Sequence, residues 1–176
     1  MLREKILSAR RADILDGLRQ IKADKNQPPQ GQVLARAIEL LRFPDADIRE
    51  EAVAALGLHW QCQEAFPILL TMLKGDESDQ VVLEVAARAV AAYAQIDLAD
   101  KSLALKTLAS MALNANRDPE LRGIAYLSAE RLANKITDVQ WAHAQEDIEE
   151  LEVDWNWLHS LTQKGRISFG TQMLPS

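Results

Sequence analysis

Pro44-Asp45-Ala46-Asp47-Ile48-Arg49-Glu50-Glu51-Ala52-Val53-Ala54-Ala55-Leu56-Gly57 decides the fold. It reads as a turn, a capped helix start and a helix with apolar residues at 48, 52, 55 and 56. Asp47 is the expected N-cap and Glu50, three residues on, takes the capping-box position; both acids suit the positive end of a helix. Gln63-Glu64-Ala65-Phe66-Pro67-Ile68-Leu69-Leu70-Thr71-Met72-Leu73 follows, and predicts a second helix entered through its proline.

The unit recurs. Ile48, Ala52 and Leu56 match Val82, Ala86 and Val90 at an offset of 34 residues, and Leu121, Ala125 and Ala129 a further 39 residues on. Asp45, Asp79 and Asp118 each stand three residues before the first apolar position of a copy. An amphipathic helix precedes each copy, over 32–42, 65–74 and about 99–114. Alanines at the matched positions let helices approach closely. A two-helix unit cannot bury its own apolar face, so neighbouring units must stack into a continuous core.

Outside the repeats, residues 2–23 predict one N-terminal helix with Leu7, Ile14, Leu18 and Ile21 near one face. The polar, proline-bearing stretch 24–31 ends it. Thr137 can cap a helix carrying Trp141, Ala144, Ile148 and Leu151, and Asp154 a shorter one carrying Trp155, Leu158 and Leu161. The expected organisation is a single domain over 1–165. It comprises an N-terminal cap (1–25), three helix pairs (32–135), a degraded C-terminal repeat or cap (137–165) and an irregular tail (166–176).

Composition excludes several function classes. The 176 residues carry a formal charge of −6, so a generic nucleic-acid binder is not expected. One cysteine, Cys62, permits neither an intrachain disulfide nor a thiolate metal cluster, and favours a reducing, cytoplasmic home. No secretory h-region and no apolar run long enough to span a membrane are visible. No HExxH, GxSxG, Walker A or GxGxxG pattern occurs. His59 and Cys62 share a helical spacing but lack further ligands, so neither a metal nor a cofactor is expected.

Asp45-x-Asp47-Ile48-Arg49-x-x-Ala52-x-x-x-Leu56-Gly57, followed by Ala65-x-Pro67-x-Leu69, resembles the HEAT repeat, closest to its short form in phycobilin-lyase-type proteins. Asp118-Pro119-Glu120-Leu121-Arg122-x-x-Ala125 resembles it again. The resemblance covers about residues 32–135. It implies an all-α fold, a right-handed α-α superhelix with helical caps at both ends, and a binding role rather than one activity. It also implies that Asp45, Asp47, Arg49, Asp118 and Arg122 link successive repeats, although Leu83 takes the arginine's place in the middle copy. HEAT-like deoxyhypusine hydroxylases hold iron with His-Glu pairs that are missing here. HEAT-like DNA glycosylases need a basic groove.

Charge is unevenly spread: residues 1–25 hold seven basic and four acidic side chains, and 141–157 hold six acidic and no basic ones. The basic N-terminal helix reads as a solvated cap, with contact to an anionic partner the other possibility. Two acidic surfaces are candidates for a protein partner with a basic face. One is the concave face of the stack, where Glu50, Glu51, Glu84, Arg88, Tyr126 and Glu130 are expected to be exposed. The other is the C-terminal cap with Glu146, Asp147, Glu149, Glu150 and Trp157, whose tryptophan the core does not need. The expected function is therefore a non-enzymatic adaptor of bacterial type, with an immunity-type inhibitor as one concrete form. The alternative, from the resemblance, is chromophore binding as in phycobilin lyases, using Arg88, Tyr126 and Cys62.

Overall fold

A computed structural model describes residues 2–93, 98–146, 148 and 151–163. The described residues contain helices and no strands: α1 (Leu2–Ile6), α2 (Arg11–Ala23), α3 (Gly31–Leu40), α4 (Ala46–Val53), α5 (Phe66–Thr71), α6 (Gln80–Ala92), α7 (Leu98–Leu113), α8 (Pro119–Leu132), α9 (Asp138–Ala144) and α10 (Trp155–Thr162). Helix α4 runs on through a π-helical segment, Ala54–His59, and α5 through another, Met72–Asp76. Gly75, at φ 135°, stops the second because no other residue adopts that conformation cheaply. Among the described residues no helix is long and apolar enough to cross a membrane.

The three aspartates at matched positions are the three N-caps. Asp45 accepts from Ile48 N, Asp79 from Val82 N and Asp118 from Glu120 N. Asp47 is therefore not the cap; it lies in the first turn of α4, exposed, and binds Arg11. Asp45 has extended backbone, φ −79° and ψ 124°, and helical backbone begins at Ala46, which puts the Asp45 side chain in reach of Ile48 N.

The N-terminal segment is two helices rather than one. Ser8 accepts from Arg10 N at 3.1 Å and donates to Asp13 at 2.8 Å, offering the backbone a turn that competes with helix. Helix α1 then folds back onto α2 at Gly17, where a Cβ would stand 2.9 Å from Ile6 N. Ile6 is buried by this contact, and Leu7, expected inside, is exposed.

Helices α2, α4, α6 and α8 pack each on the next. Helix α1 also meets α2 and α3, α3 meets α4, α5 meets α6, and α7 meets α8. Ala52, Ala86 and Ala125 are fully buried, as are Ile48, Leu56 and Val90. At Gly57 a Cβ would lie 2.7 Å from the Cβ of Ala89, so small residues set the spacing between the first and second copies. One cluster of buried apolar residues extends from Ile6 to Leu161. The last two helices join in the opposite order to the pairs before them: α9 contacts α8, and α10 packs on α7.

Arg49 ties the first copy to the second. Its Nε and Nη2 donate to the two carboxylate oxygens of Glu77 at 2.6 and 2.8 Å, and its Nη1 donates to the carbonyls of Phe43 and Pro44. Arg122 instead closes its own pair, donating to the carbonyl of Ala112 at the end of α7.

Candidate functional site

The C-terminal segment lies against the first half of α8, and a cleft of ≈ 750 Å³ opens between them. Gly123 makes the approach possible, because a Cβ there would collide with Ile148 Cγ2. In the repeat register Gly123 stands where the earlier copies carry Glu50 and Glu84. Ile148, Leu151 and Val153 give it an apolar lining, and its charged lining is Asp118, Glu120 and Glu146 with one cation, Arg122. Asp118 is spent on capping α8. Glu120 has no ion pair among the described residues, and Glu146 meets only His143, at 3.9 Å with both side chains exposed.

Asp154 starts α10 by accepting from Trp157 N at 2.9 Å. This cap separates the two neighbouring tryptophans. Side chains tilt toward a helix N-terminus, so the residue at the first helical position overhangs the end of the helix. Trp155 is that residue. It is 47% exposed, lines the cleft and lies 5.6 Å from the Arg122 guanidinium. Trp157 turns inward, edge-on to Tyr126 at 6.1 Å, with Lys135 Nζ 4.0 Å above its ring. The expectation of an exposed Trp157 and a buried Trp155 is thus reversed.

Tyr126 is buried rather than exposed. Its hydroxyl donates to Glu130 at 2.8 Å and accepts from Asp154 N at 3.2 Å. Burial, aided by Glu130 and opposed by the hydrogen bond from Asp154 N, pushes the phenol up to about 12. Tyr126 is therefore a neutral strut that fixes the start of α10.

The remaining concave-face candidates are half-buried and mostly engaged within the chain. Glu51 receives Arg19 and Lys22, Glu84 accepts from Gln80, Arg88 donates to Gln145, and Glu130 binds Tyr126 and lies 3.6 Å from Lys135. Only Glu50 faces like charge without an ion pair. Burial, then Glu51 and Asp47, raise its carboxyl above the usual range. These residues do not form an open acidic surface, because α2 reaches Glu51 while Glu84 and Glu130 are met from their own helices and by Lys135. Asp147, Glu149 and Glu150 lie outside the described residues, as does the tail called irregular from 166 onward.

Five of the seven N-terminal cations are likewise paired internally. Lys5 binds Asp16, Arg10 approaches Asp13, Arg11 binds Asp45 and Asp47, and Arg19 and Lys22 share Glu51. His59 Nε2 meets the carbonyl of Asp24, and Cys62 is buried, its own carbonyl accepting from Tyr93. Cys62 does not line the cleft that Tyr126 borders, and Arg88 reaches that cleft only through Gln145. Among the described residues no group of three or more His, Cys, Asp or Glu side chains is arranged to hold a metal ion.

Two cleft residues escaped the sequence reading. Glu120 was visible only as part of a repeat motif. Trp155 could have been found from its place directly after the Asp154 cap. Comparison with protein-family models, curated proteins and solved structures finds no match.

Proposed function

We propose that this chain is a non-enzymatic protein-interaction module, a short HEAT-like solenoid whose C-terminal edge takes a basic, apolar-bearing segment of a protein partner. The repeated cap–alanine pattern and the pairwise stacking of α2, α4, α6 and α8 support a superhelical arrangement. Asp45, Asp47 and Arg49 support it too, since each joins one helix pair to a neighbouring element.

One observation carries the choice of site: a half-exposed Trp155 shares a cleft with Ile148, Leu151 and Val153 and with the carboxylates of Glu120 and Glu146, which outnumber the one cation there, Arg122. A tryptophan partly removed from water and framed by charge is the usual anchor of a protein contact. The carboxylates would speed association with a cationic partner more than they deepen the final affinity. The half-buried, ion-paired acids of α4 and α6 are poorer candidates, because a partner would have to displace contacts already made.

The test is titration with a lysine- and leucine-rich peptide of about 12 residues, against its glutamate-for-lysine counterpart. Saturable binding of the basic peptide alone is expected, weakening as salt rises. Trp155→Ala should cost about 2 kcal/mol of that binding. Equal binding by Trp155→Ala, combined with loss in a Glu50→Lys, Glu84→Lys variant, would move the site to the α4–α6 surface.

A further inference from the structure

A second groove, ≈ 380 Å³, runs along the outer side of α7 and carries the opposite charge. Leu73, Leu103 and Met111 form its apolar part, with Leu103 39% exposed, and Lys74, Lys106 and Arg117 border it. None of these three cations has an ion pair among the described residues. That sets them apart from Lys5, Arg10, Arg11, Arg19 and Lys22, each of which has its carboxylate.

The two surfaces meet at one loop. Arg117 lines the basic groove, and its chain neighbour Asp118 lines the acidic cleft. A two-fold contact is isologous, so a surface that carries both charges side by side can complement itself when a second copy is rotated onto it. Among the described residues no ion pair joins Lys74, Lys106 or Arg117 to Asp118, Glu120 or Glu146. Between two copies such pairs can form, and the exposed Trp155 and Leu103 would leave water together.

We propose that the chain forms a two-fold dimer about the loop 114–118, with Lys106 and Arg117 of each copy set against Glu120 and Glu146 of the other. This rests on the reading of the cleft as a protein-binding surface, and names a second copy of the chain as its occupant.

The experiment is sedimentation of the whole chain at about 50 mM and about 500 mM salt, where screening lengths differ severalfold. A monomer–dimer equilibrium is expected, with a dissociation constant at least about tenfold higher at high salt. Lys106→Glu with Arg117→Glu, and separately Glu120→Lys with Glu146→Lys, should each weaken the dimer at least about tenfold. An equimolar mixture of the two variants should restore it as a heterodimer, which a misfolded variant could not do. A monomer at every concentration reached, or a dimer indifferent to both reversals, overturns the proposal. Oligomers that keep growing with concentration overturn its two-fold closure. If the chain stays monomeric yet the basic peptide binds at Trp155, the dimer fails and the cleft reading stands. If neither association occurs, both fail.

Discussion

Arg49 and Glu77, 28 residues apart in sequence, form a two-pronged ion pair at 2.6 and 2.8 Å in which Glu77 is almost entirely buried. Burial by itself would raise the Glu77 carboxyl. The donors from Arg49 and from the backbone of Asp79 and Ser78 outweigh it, so the group sits below its usual value. Removing one member leaves the other buried without compensation. Arg49→Ala should therefore destabilise by about 3–5 kcal/mol, whereas replacing both residues by methionine should cost much less. Chemical denaturation of the two variants measures the difference.

The same pair fixes a sign for acid unfolding. A carboxyl whose folded value is depressed contributes stability that is present above its unfolded value and lost as pH falls through the folded one. Stability attributable to Glu77 should thus be intact at neutral pH and decline below about pH 4.5. Glu77→Gln should show a flatter loss over that window than the parent chain in a series of denaturant melts.

Glu50 behaves oppositely. Partial burial and the neighbouring Glu51 and Asp47 raise its carboxyl, with Lys22 a lesser opposing influence and Asp79 adding to the repulsion. A raised acid favours the folded state while protonated and opposes it once ionised, so its contribution falls as pH rises through the folded value. Glu50→Gln should raise the melting temperature at pH 7. Near pH 4 the two chains should melt alike. A variant that melts lower at pH 7 would show that Glu50 makes a favourable contact in the folded chain.

The two tryptophans of α10 should separate cleanly. Trp157 is packed on Tyr126 and beneath Lys135, so Trp157→Ala should cost about 3 kcal/mol or more of folding stability. Trp155 gives up little burial, and Trp155→Ala should change stability by less than about 1 kcal/mol. Thermal melts decide between them, and the reverse ranking would put Trp157, not Trp155, at the cleft.

Alanine at position 123 tests how the C-terminal segment is held. Its gain in helix propensity is about 1 kcal/mol, and its Cβ would collide with Ile148, a β-branched residue with little room to turn. The expected outcome is a helix α8 left intact and a C-terminal segment displaced from it, read as increased proteolysis beyond residue 145 with an unchanged helical far-ultraviolet spectrum.

Helix pairing was legible from local order because an α-helix repeats every 3.6 residues and its cap lies at a fixed offset from its first buried turn. Ile48, Ala52 and Leu56 with their two later echoes, and Asp45, Asp79 and Asp118 before them, carry that information in the chain itself. Asp45 rather than Asp47 caps α4, and Ser8 breaks 2–23 into two helices; both devices are local, but the helical period alone does not show them, and only the contact of Ile6 with Gly17 folds α1 back on α2. The acidic face failed as a reading because part of its pairing is long-range. Arg19 and Lys22 neutralise Glu51 from 32 and 29 residues away, and Gln145 meets Arg88 from 57. Charge in a sequence is a count, but its availability is set by what the fold lays beside it. Trp155 and Trp157 differ by two positions and by nothing in composition. The Asp154 cap sets them on different sides of α10, and the packing of α10 on α7, with Tyr126 fixing its first turn, decides which side meets solvent.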